Sequence, residues 1–440
     1  LEGKLLYPPL KLVNRAYKNE GNLKFSDVSE SWGFDQKDVS HGLAFADLNG
    51  DGALDLVINR MNDPVGVYKN MSGAPRIAVR LIGSAPNTQA IGARVTLSEG
   101  DALQVKQIVS GGDYLSGSAP QLMFAASRNN PDQVLNITWP NGKKSTIDSV
   151  RANRIYEIYE DSITTVRPDT LDQQTPSSRV FKDVSNSIDF TDPENDYKDY
   201  QRQPFIPLML SQLGPGIAWL DYNGDDHMDL VQTSGKNGQL AIFKNEGQGR
   251  FRKETIPGMK EIERGDQTAV VSWQTDKGIN MVVGRSDYEQ AMPGGPSAYY
   301  FLISNGRVVK TQELPATGSS TGPLAAADYN RDGTVDLFVG GRVIPGKYPK
   351  SPSSALYKND NGYFVPDTAN TKLLQEIGMV TGAVFTAYHN DNWPDLLAST
   401  ARRSPRRFDP GDRPGPGRRG RGCPRGWSCR GCAAPRPIRG

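Results

Sequence analysis

The sequence predicts an all-β protein made of many short strands. Of its 440 residues 37% are hydrophobic, while 46 are Gly and 31 are Pro, a composition that is rich in turns and poor in core-forming residues. Short apolar runs recur beside acidic, glycine-bearing loops, and elsewhere apolar and polar residues alternate with a period of two. Because the chain is longer than one hydrophobic core usually supports, we expect two or three domains.

The clearest motif is an acidic loop between two apolar runs. Residues 45–58 read FADLNGDGALDLVI, and the pattern returns as IAWLDYNGDDHMDLVQ at 217–232 and as AAADYNRDGTVDLFVGG at 325–341. Each copy places Asp, Asn and Asp at alternate positions and another Asp at the ninth position. Two weaker copies keep only part of this set, and the corresponding residues are Ser272, Gln274, Asp276 and Asn280 in one, and Ala387, His389, Asp391 and Asp395 in the other.

A second short motif follows the first at a regular distance. It reads AYKNEGNLKF at 16, VYKN at 67, IFKNEGQGRF at 242 and LYKNDNGYF at 356. Each repeating unit therefore contains an apolar strand, an acidic loop, another apolar strand, a Gly-containing turn and an aromatic-Lys-Asn strand. A unit of three or four strands without a helix is typical of a propeller blade and unlike the helical solenoid repeats.

The repeats are interrupted between residues 76 and 161. Ile77, Val79 and Leu81 alternate with polar residues, and similar alternation continues to Tyr156 and Ile158, with Gly-rich breaks such as SGGDYLSGS. This pattern predicts antiparallel strands with one buried face, and hence a small β-sandwich or barrel. The polar, Pro-bearing residues 162–178 are interpreted as a linker.

The acidic loops have the composition of calcium sites. Calcium prefers six to eight oxygen ligands, and alternate positions of a tight loop can direct their side chains inward. An EF-hand is excluded because it needs Glu at position 12, where this chain has Ile58, Gln232 and Val339. A single Asp/Asn/Gly cluster would be read as an ordinary turn, but three copies favour a bound ion that is structural, since no acid, base or nucleophile accompanies it.

The repeated loop resembles the FG-GAP repeat, also called the VCBS repeat, of integrin α-like propellers. The interrupting segment is similar to the ASPIC/UnbV domain of the cartilage acidic protein family, through IGARVTL, QVKQIVSGGDYLSGSAPQLMFA and ITWPNGK. The combination is characteristic of that family and its bacterial relatives. The resemblance implies three structural Ca²⁺ sites, whose ligands would be Asp47, Asn49, Asp51 and Asp55; Asp221, Asn223, Asp225 and Asp229; and Asp328, Asn330, Asp332 and Asp336.

The same resemblance gives the expected domain organisation. Residues 1–75 are assigned to the last blades of a first propeller, 76–161 to the ASPIC/UnbV domain, 162–178 to the linker and 179–400 to blades of a second propeller. Complete propellers of this type are seven-bladed, so both rings are expected to be incomplete. Residues 401–440 are rich in Arg, Pro and Gly and contain all three Cys, and we interpret them as a disordered tail whose composition is consistent with a shifted reading frame.

The resemblance implies a calcium-stabilised binding or adhesion protein without catalytic activity, located outside the cell, in the periplasm or on the cell surface. The alternative is an accessory or catalytic part of an extracellular enzyme that acts on polysaccharide, because propellers host many such enzymes. The ligand, a protein or a glycan, is not specified by the sequence. Residues 1–400 carry an excess of acidic residues, so we expect no nucleic-acid partner, and no apolar run is long enough to predict a membrane span.

Overall fold

The computed structural model confirms the all-β prediction. It describes residues 11–408, except for 129, 131, 162–164, 169–178, 193–194, 237, 260–261, 263–264, 291–293, 389–392 and 402. The α-helices of the described part are each one turn long: α1 (Ser29–Trp32), α2 (Asp199–Arg202) and α3 (Thr368–Thr371). Two short 3-10 helices cover Ser185–Ser187 and Lys372–Leu374. The described residues contain no helix of the length and apolar character needed to cross a membrane.

The chain begins with four short strands and the first three strands of a larger sheet. They are β1 (Leu12–Val13), β2 (Tyr17–Gly21), β3 (Lys24–Asp27), β4 (Lys37–Asp38), β5 (Ser40–Ala46), β6 (Asp55–Arg60) and β7 (Gly66–Asn70). β2 and β3 form a hairpin, and β1 pairs with β4. Phe34 attaches this segment to the larger sheet, because its ring contacts the ring of Tyr68 on β7.

Residues 76–168 form two open four-stranded sheets that pack as a sandwich. Their strands are β8 (Arg76–Ile82), β9 (Arg94–Glu99), β10 (Ala102–Gln107), β12 (Gln121–Ala125), β13 (Val134–Thr138), β14 (Lys144–Ile147), β15 (Arg154–Tyr159) and β16 (Thr165–Pro168). The short strand β11 (Ser110–Gly111), between β10 and β12 in the chain, belongs to neither sheet. The sheet orders are β10-β9-β13-β14 and β12-β8-β15-β16. Inward residues such as Val79, Val95 and Ile137 are almost completely buried, as the alternating pattern predicted. β16 lies inside the segment that was predicted to be a linker, so this part of the prediction was wrong.

The sheet that β5, β6 and β7 begin is completed after the sandwich. Its fourth strand is β17 (Phe181–Asp183), which pairs with β7 so that Phe181 lies opposite Asn70. The sandwich is thus inserted between the third and fourth strands of one sheet. The predicted boundary between two propellers does not match this pairing, because residues 181–183 belong to the same sheet as residues 40–70.

Four further sheets follow, and with the first they are called blades 1 to 5. Blade 2 contains β18 (Ile217–Leu220), β19 (Asp229–Gln232), β20 (Ala241–Asn245) and β21 (Phe251–Glu254). Blade 3 contains β22 (Asp266–Thr275), β23 (Gly278–Ser286), β24 (Ala298–Ser304) and β25 (Arg307–Leu314). Blade 4 contains β26 (Ser320–Ala327), β27 (Asp336–Val343), β28 (Ala355–Asp360) and β29 (Tyr363–Pro366). Blade 5 contains β30 (Val380–Thr386), β31 (Asp395–Thr400) and β32 (Arg403–Phe408).

Strand β32 lies within the segment that was predicted to be a disordered tail. It pairs with β31, and the Phe408 side chain is buried in the main hydrophobic core. The strands of the blades therefore continue at least to residue 408, beyond the predicted boundary at 400. Residues 409–440 lie outside the described part of the chain.

The innermost strands of the blades lie side by side in chain order, from β5 through β18, β22 and β26 to β30. Residues 108–119 of the sandwich, called the axial segment, run along these strands. The backbone N–H of Ala119 donates to Phe45 O in blade 1 (2.8 Å), and that of Gly117 donates to Ile217 O in blade 2 (2.8 Å). The axial segment therefore occupies the region around which the blades are arranged.

The same segment contacts the remaining blades. Val270 N–H of blade 3 donates to Leu115 O (3.1 Å), and β11 pairs with β26 of blade 4. In blade 5, β30 also contacts β11. Close approach is possible because small residues line both sides: a Cβ atom on Gly216 would overlap the carbonyl oxygen of Leu115.

Candidate metal centres

The three complete acidic loops occupy equivalent places in blades 1, 2 and 4. Each loop joins the innermost strand of its blade to the second strand, over residues 47–54, 221–228 and 328–335. The ninth residue of each motif is the first residue of the second strand, namely Asp55 of β6, Asp229 of β19 and Asp336 of β27. The structure therefore brings each predicted four-residue set together within one loop.

The first Asp of each loop accepts backbone N–H groups from the far side of the same loop. Asp47 accepts the N–H groups of Asp51 (3.0 Å) and Gly52 (2.8 Å). Asp328 does the same with Asp332 (3.1 Å) and Gly333 (3.0 Å). The backbone between them turns through residues with positive φ, for which Gly52 and Gly333 are suited.

Asp221 accepts N–H groups from Asp225 (3.1 Å) and Asp226 (2.9 Å) in blade 2. Here the positive φ falls on Asp226 instead of Gly. The second loop is therefore less regular than the other two, since a residue with a Cβ atom occupies this conformation less readily than Gly. The hydrogen-bond pattern nevertheless stays the same.

The ninth-position Asp connects the loop to the third strand of its blade. One oxygen of Asp229 accepts the N–H of Tyr222 at the start of the loop (3.2 Å), and the other accepts the N–H of Asn245 on β20 (2.8 Å). Asp55 pairs in the same way with Leu48 (3.1 Å) and Asn70 (2.7 Å). These aspartates are almost fully buried, so each carboxylate holds two strands and a loop together.

The Asn of the aromatic-Lys-Asn motif is the residue that the sequence analysis did not assign. Asn70, Asn245 and Asn359 each donate their backbone N–H to the ninth-position Asp. Their side-chain amides also donate to the carbonyl that precedes that Asp, at Leu54 (3.0 Å), Met228 (3.2 Å) and Val335 (3.1 Å) respectively. The recurrence of Lys-Asn at a fixed distance after each loop was the available signal.

Burial makes ionisation of these acids unfavourable. Removal from water raises the pKa of Asp55 and of Asp229 to about 7, and that of Asp336 to about 8. The other loop carboxylates add to this effect, while the backbone N–H groups oppose it. In addition, Oδ2 of Asp336 is buried and has no hydrogen-bond partner among the residues that the structure describes. An added positive charge would therefore stabilise each loop.

Basic side chains partly compensate the first two loops. Lys244 Nζ lies 3.3 Å from Asp225 Oδ2, and Lys69 Nζ lies 4.0 Å from Asp51 Oδ2. Arg80 of the sandwich lies 4.0 Å from Asp47. In blade 4 the guanidinium of Arg331 instead donates to Pro140 O of the sandwich (3.4 Å).

The donor set suits Ca²⁺ in kind, because each loop supplies three carboxylates and one amide oxygen. In this structure the carboxylates point at N–H groups of their own loop, and no three His, Cys, Asp or Glu side chains among the described residues are gathered closely enough to hold a metal ion. Binding would therefore require the side chains to turn toward a common point. The assignment of the twelve ligands stays a prediction.

The weaker copies of the motif have different structures. In blade 3 the strands continue where the loop would be, so Ser272 and Gln274 lie within β22 and Asn280 lies within β23. Asp276 and Lys277 form the two-residue turn between these strands. In blade 5, Asp395 begins β31 like the other ninth-position residues, while His389 and Asp391 lie outside the described residues.

The sandwich lies against the loop side of the blades. Arg76 on β8 donates to the carbonyls of Asp51 (3.2 Å) and Gly52 (3.3 Å) in the first loop. A cavity of about 280 Å³ between the sandwich and blades 1 and 2 is lined by residues of both parts, including Asp47, Arg80, Gln121 and Asp221. The first two loops thus lie at the boundary between the blades and the inserted domain.

Two family models match the chain. The model described as FG-GAP-like repeat matches residues 12–58, which include the first acidic loop. The model described as ASPIC and UnbV matches residues 83–165, which contain most of the sandwich. Comparison with curated proteins gives no match.

Proposed function

We propose that this chain, which contains an FG-GAP-like repeat and an ASPIC/UnbV domain, is a calcium-stabilised binding or adhesion protein of the extracellular or cell-envelope type. FG-GAP repeats are typical of extracellular proteins. The observation that carries the proposal is the shared arrangement of the three acidic loops, each of which ends in a carboxylate that is buried at the start of the second strand. We assign no catalytic activity to the chain.

The ligands in this proposal are Asp and Asn side chains of the first, third, fifth and ninth positions of each loop. A bound Ca²⁺ would neutralise the negative charge of these acids and would fix the loop relative to the second and third strands. Since Asn245 also donates its side-chain amide to Leu48 O of the first loop (3.1 Å), stabilising the loop of blade 1 also stabilises blade 2. The ions therefore act as structural supports for a binding surface.

The axial segment supports a binding role over the alternative of a polysaccharide-acting enzyme. Propeller enzymes use the central region where the blades meet, but here the axial segment of the sandwich hydrogen-bonds along the innermost strands of blades 1 to 4. A partner would then contact the outer surface of the blades or the sandwich. The partner is a protein or a glycan, and its identity is left open.

Thermal unfolding of the full chain with CaCl₂ or with EGTA tests the proposal, with MgCl₂ as the comparison ion. At a hundredfold excess over Kd, calcium should add about 2.7 kcal/mol to the free energy of unfolding for each site that it occupies. A variant with Asp47→Asn, Asp221→Asn and Asp328→Asn should lose most of this increase. Asp276→Asn, in the turn of blade 3, is the matched control and should keep it.

An unfolding temperature of the wild-type chain that is the same in CaCl₂ and EGTA would overturn the calcium assignment. Release of reducing ends from a panel of polysaccharides by the purified chain would overturn the non-enzymatic assignment. The two results are independent, because the first concerns the loops and the second concerns the surface of the blades.

A further inference from the structure

A second group of buried acids lies at the other end of the strands. Asp266 is the first residue of β22, whereas the acidic loops of neighbouring blades follow the last residue of the innermost strand. Asp192 and Glu289 are near it, and Lys236 is the neighbouring base. These four residues are called the distal acid cluster, and they lie on the side of blades 2 and 3 that faces away from the sandwich.

The acids of this cluster are removed from solvent. The exposed fraction is 1% for Asp192, 3% for Asp266 and 8% for Glu289. Ser234 Oγ and Gly235 N–H donate to one oxygen of Asp192, both at 3.0 Å. The second oxygen of Asp192 has no hydrogen-bond partner in the part of the chain that the structure describes.

The other two acids are also incompletely paired. One oxygen of Glu289 accepts the amide of Asn195 (2.9 Å) and lies 3.3 Å from Lys236 Nζ, but its other oxygen has no hydrogen-bond partner within the described ranges. Neither oxygen of Asp266 has a hydrogen-bond partner among the described residues, although the backbone N–H of Lys236 lies near enough to favour the charged form of Asp266. The side-chain oxygen of Asn195 is likewise buried and unpartnered.

The charges of the cluster do not balance. Among the described residues, three carboxylates face one ammonium group, which leaves two negative charges when all acids are ionised. The next base in the strand pair, Arg285, forms an ion pair with Asp287. Buried charges that lack a partner cost several kcal/mol each, so such a group needs either protons or a cation.

Protonation alone does not explain the geometry. Burial and the nearby acids raise the pKa of Asp266 to about 7, and burial raises that of Asp192 to about 6, so protons can neutralise part of the cluster. A protonated Asp266 would still have a donor and an acceptor without partners. Buried unpartnered oxygens of this kind are where a native structure holds an ion or an ordered water.

We propose that the distal acid cluster binds a divalent cation of the calcium type. Asp266 and Glu289 supply the carboxylate ligands, and the free oxygens of Asn195 and Asp192 complete the protein's share of the oxygen shell. A charge of +2 matches the excess negative charge. As in the acidic loops, the acids are not gathered round one point in the described structure, so the ion would draw Asp266 and Glu289 together.

This site would be additional to the three acidic loops and does not depend on them. It lies at the open end of the β22–β23 hairpin, where Asp266 begins β22 and Glu289 follows β23, and it would connect this end to the segment before blade 2 through Asp192 and Asn195. The ion would therefore fix the connections between blades 2 and 3, just as the loops fix connections within a blade.

Isothermal titration of the full chain with CaCl₂ tests this proposal. Asp266→Asn should bind one calcium ion fewer per chain than the wild type, and Glu289→Gln should do the same. Asp196→Asn removes a carboxylate from the same segment but outside the cluster, since its side chain is 79% exposed, and it should bind as many ions as the wild type. A wild-type number of ions in Asp266→Asn would overturn the proposal.

Thermal unfolding adds a second measurement, the gain in stability from calcium, which a carboxylate without a metal role would not change. In metal-free buffer Asp266→Asn should unfold at a higher temperature than the wild type, because a buried charge is removed, and it should gain less from calcium. If the cluster holds only protons and water, the metal-free increase remains but the number of bound ions is unchanged. That outcome overturns the cation assignment.

Soaking wild-type crystals in a terbium salt tests the proposal without any variant, and it therefore applies even if both variants fail to fold. Anomalous density between Asp266 and Glu289 is the expected result, and density in the acidic loops alone would contradict it. The titration also separates this proposal from the calcium proposal for the loops. If only the loops bind, the cluster variants match the wild type; if only the cluster binds, the loop variants match it.

Discussion

Blades 2 and 3 connect their innermost strand to their second strand in different ways. In blade 2 an eight-residue acidic loop separates Leu220 from Asp229, whereas in blade 3 a two-residue turn separates Thr275 from Gly278. The position of Asp229 is taken in blade 3 by Asn280, a neutral residue. Its amide donates to Thr275 Oγ1 (3.2 Å), and its oxygen accepts the hydroxyl of Tyr300 (2.8 Å).

The difference shows what the acidic loop contributes. Blade 3 connects its second and third strands with neutral hydrogen bonds, so it needs no ion and its strands can extend through the turn. Blade 2 uses a buried carboxylate that accepts two backbone N–H groups, which makes a stronger connection but places a charge in a dry environment. If the calcium proposal holds, the loop of blade 2 is stabilised by a bound cation, whereas the turn of blade 3 is not.

Replacement of the buried carboxylate should have the largest effect. Asp229→Ala leaves the N–H groups of Tyr222 and Asn245 without acceptors and removes a calcium ligand, so in CaCl₂ it should lower the free energy of unfolding by about 3 kcal/mol. Asn280→Ala is the matched change in blade 3. Denaturant titration should show that chelation reduces the loss for Asp229→Ala and leaves the loss for Asn280→Ala unchanged; equal calcium dependence would remove the distinction between the blades.

The axial segment should stabilise both blades without any ion. Gly216→Ala places a Cβ atom against the carbonyl oxygen of Leu115 and should cost about 2 kcal/mol, equally in CaCl₂ and in EGTA. Gly117→Ala is the matched control within the axial segment, because its nearest new contact, Val270 O, would lie 3.8 Å away. Loss of stability that appears only in EGTA would show that the segment acts through the loops.

The stability of the metal-free protein should depend on pH more strongly than that of the calcium-bound protein. Burial raises the pKa of Asp229 to about 7 and that of Asp336 to about 8 in the folded chain, well above the pKa of an unfolded Asp. At a pH between the unfolded and the folded pKa values, the folded state therefore binds more protons than the unfolded state. Stability of the metal-free protein should therefore fall as pH rises from about 5 to about 8. The unfolding temperature of dialysed protein measures this slope, which calcium should reduce.

Two variants identify the acids that cause the fall in stability with rising pH. Asp229→Asn should flatten part of the slope, and Asp266→Asn should flatten another part, because the pKa of Asp266 is also raised to about 7. Asp276→Asn, at the turn of blade 3, should leave the slope as it is. A metal-free stability that rises with pH would contradict the burial of ionised loop acids.

The smallest effect is expected from the Lys of the aromatic-Lys-Asn motif. Lys244→Met removes the ammonium group 3.3 Å from Asp225, and because this pair is partly exposed the stability should change by less than about 1 kcal/mol. Calcium should bind the second loop more tightly, since a competing cation is gone. Titration calorimetry checks this, and weaker calcium binding would mean that Lys244 supports the site.

The repeats allowed much of the fold to be predicted. Three copies of one motif located the acidic loops, and the alternating residues located the sandwich. The fourth strand of blade 1 could not be found, because Phe181 and Asn70 are separated by the whole inserted domain. The distal acid cluster could not be predicted either, because Asp192, Asp266 and Glu289 share no motif and come together only when blades 2 and 3 pack against each other.

The segment SGGDYLSGS shows a different limit of sequence analysis. Its glycines were interpreted as a break between strands, whereas they allow the axial segment to lie against the innermost strands. Similarly, the Lys-Asn pairs were recognised as a repeat, but their role depends on hydrogen bonds to Asp residues on the neighbouring strand. A repeated pattern locates such residues, and only the pairing of strands shows what they contact.

Hydrogen exchange of the backbone amides, with and without calcium, tests the central claim most directly. The account predicts that calcium slows exchange at residues 47–55, 221–229 and 328–336 and at Asn70, Asn245 and Asn359, while the turn at 275–278 of blade 3 exchanges at the same rate in both conditions. Unchanged exchange in the three loops, or equal slowing in the loops and the turn, would contradict it.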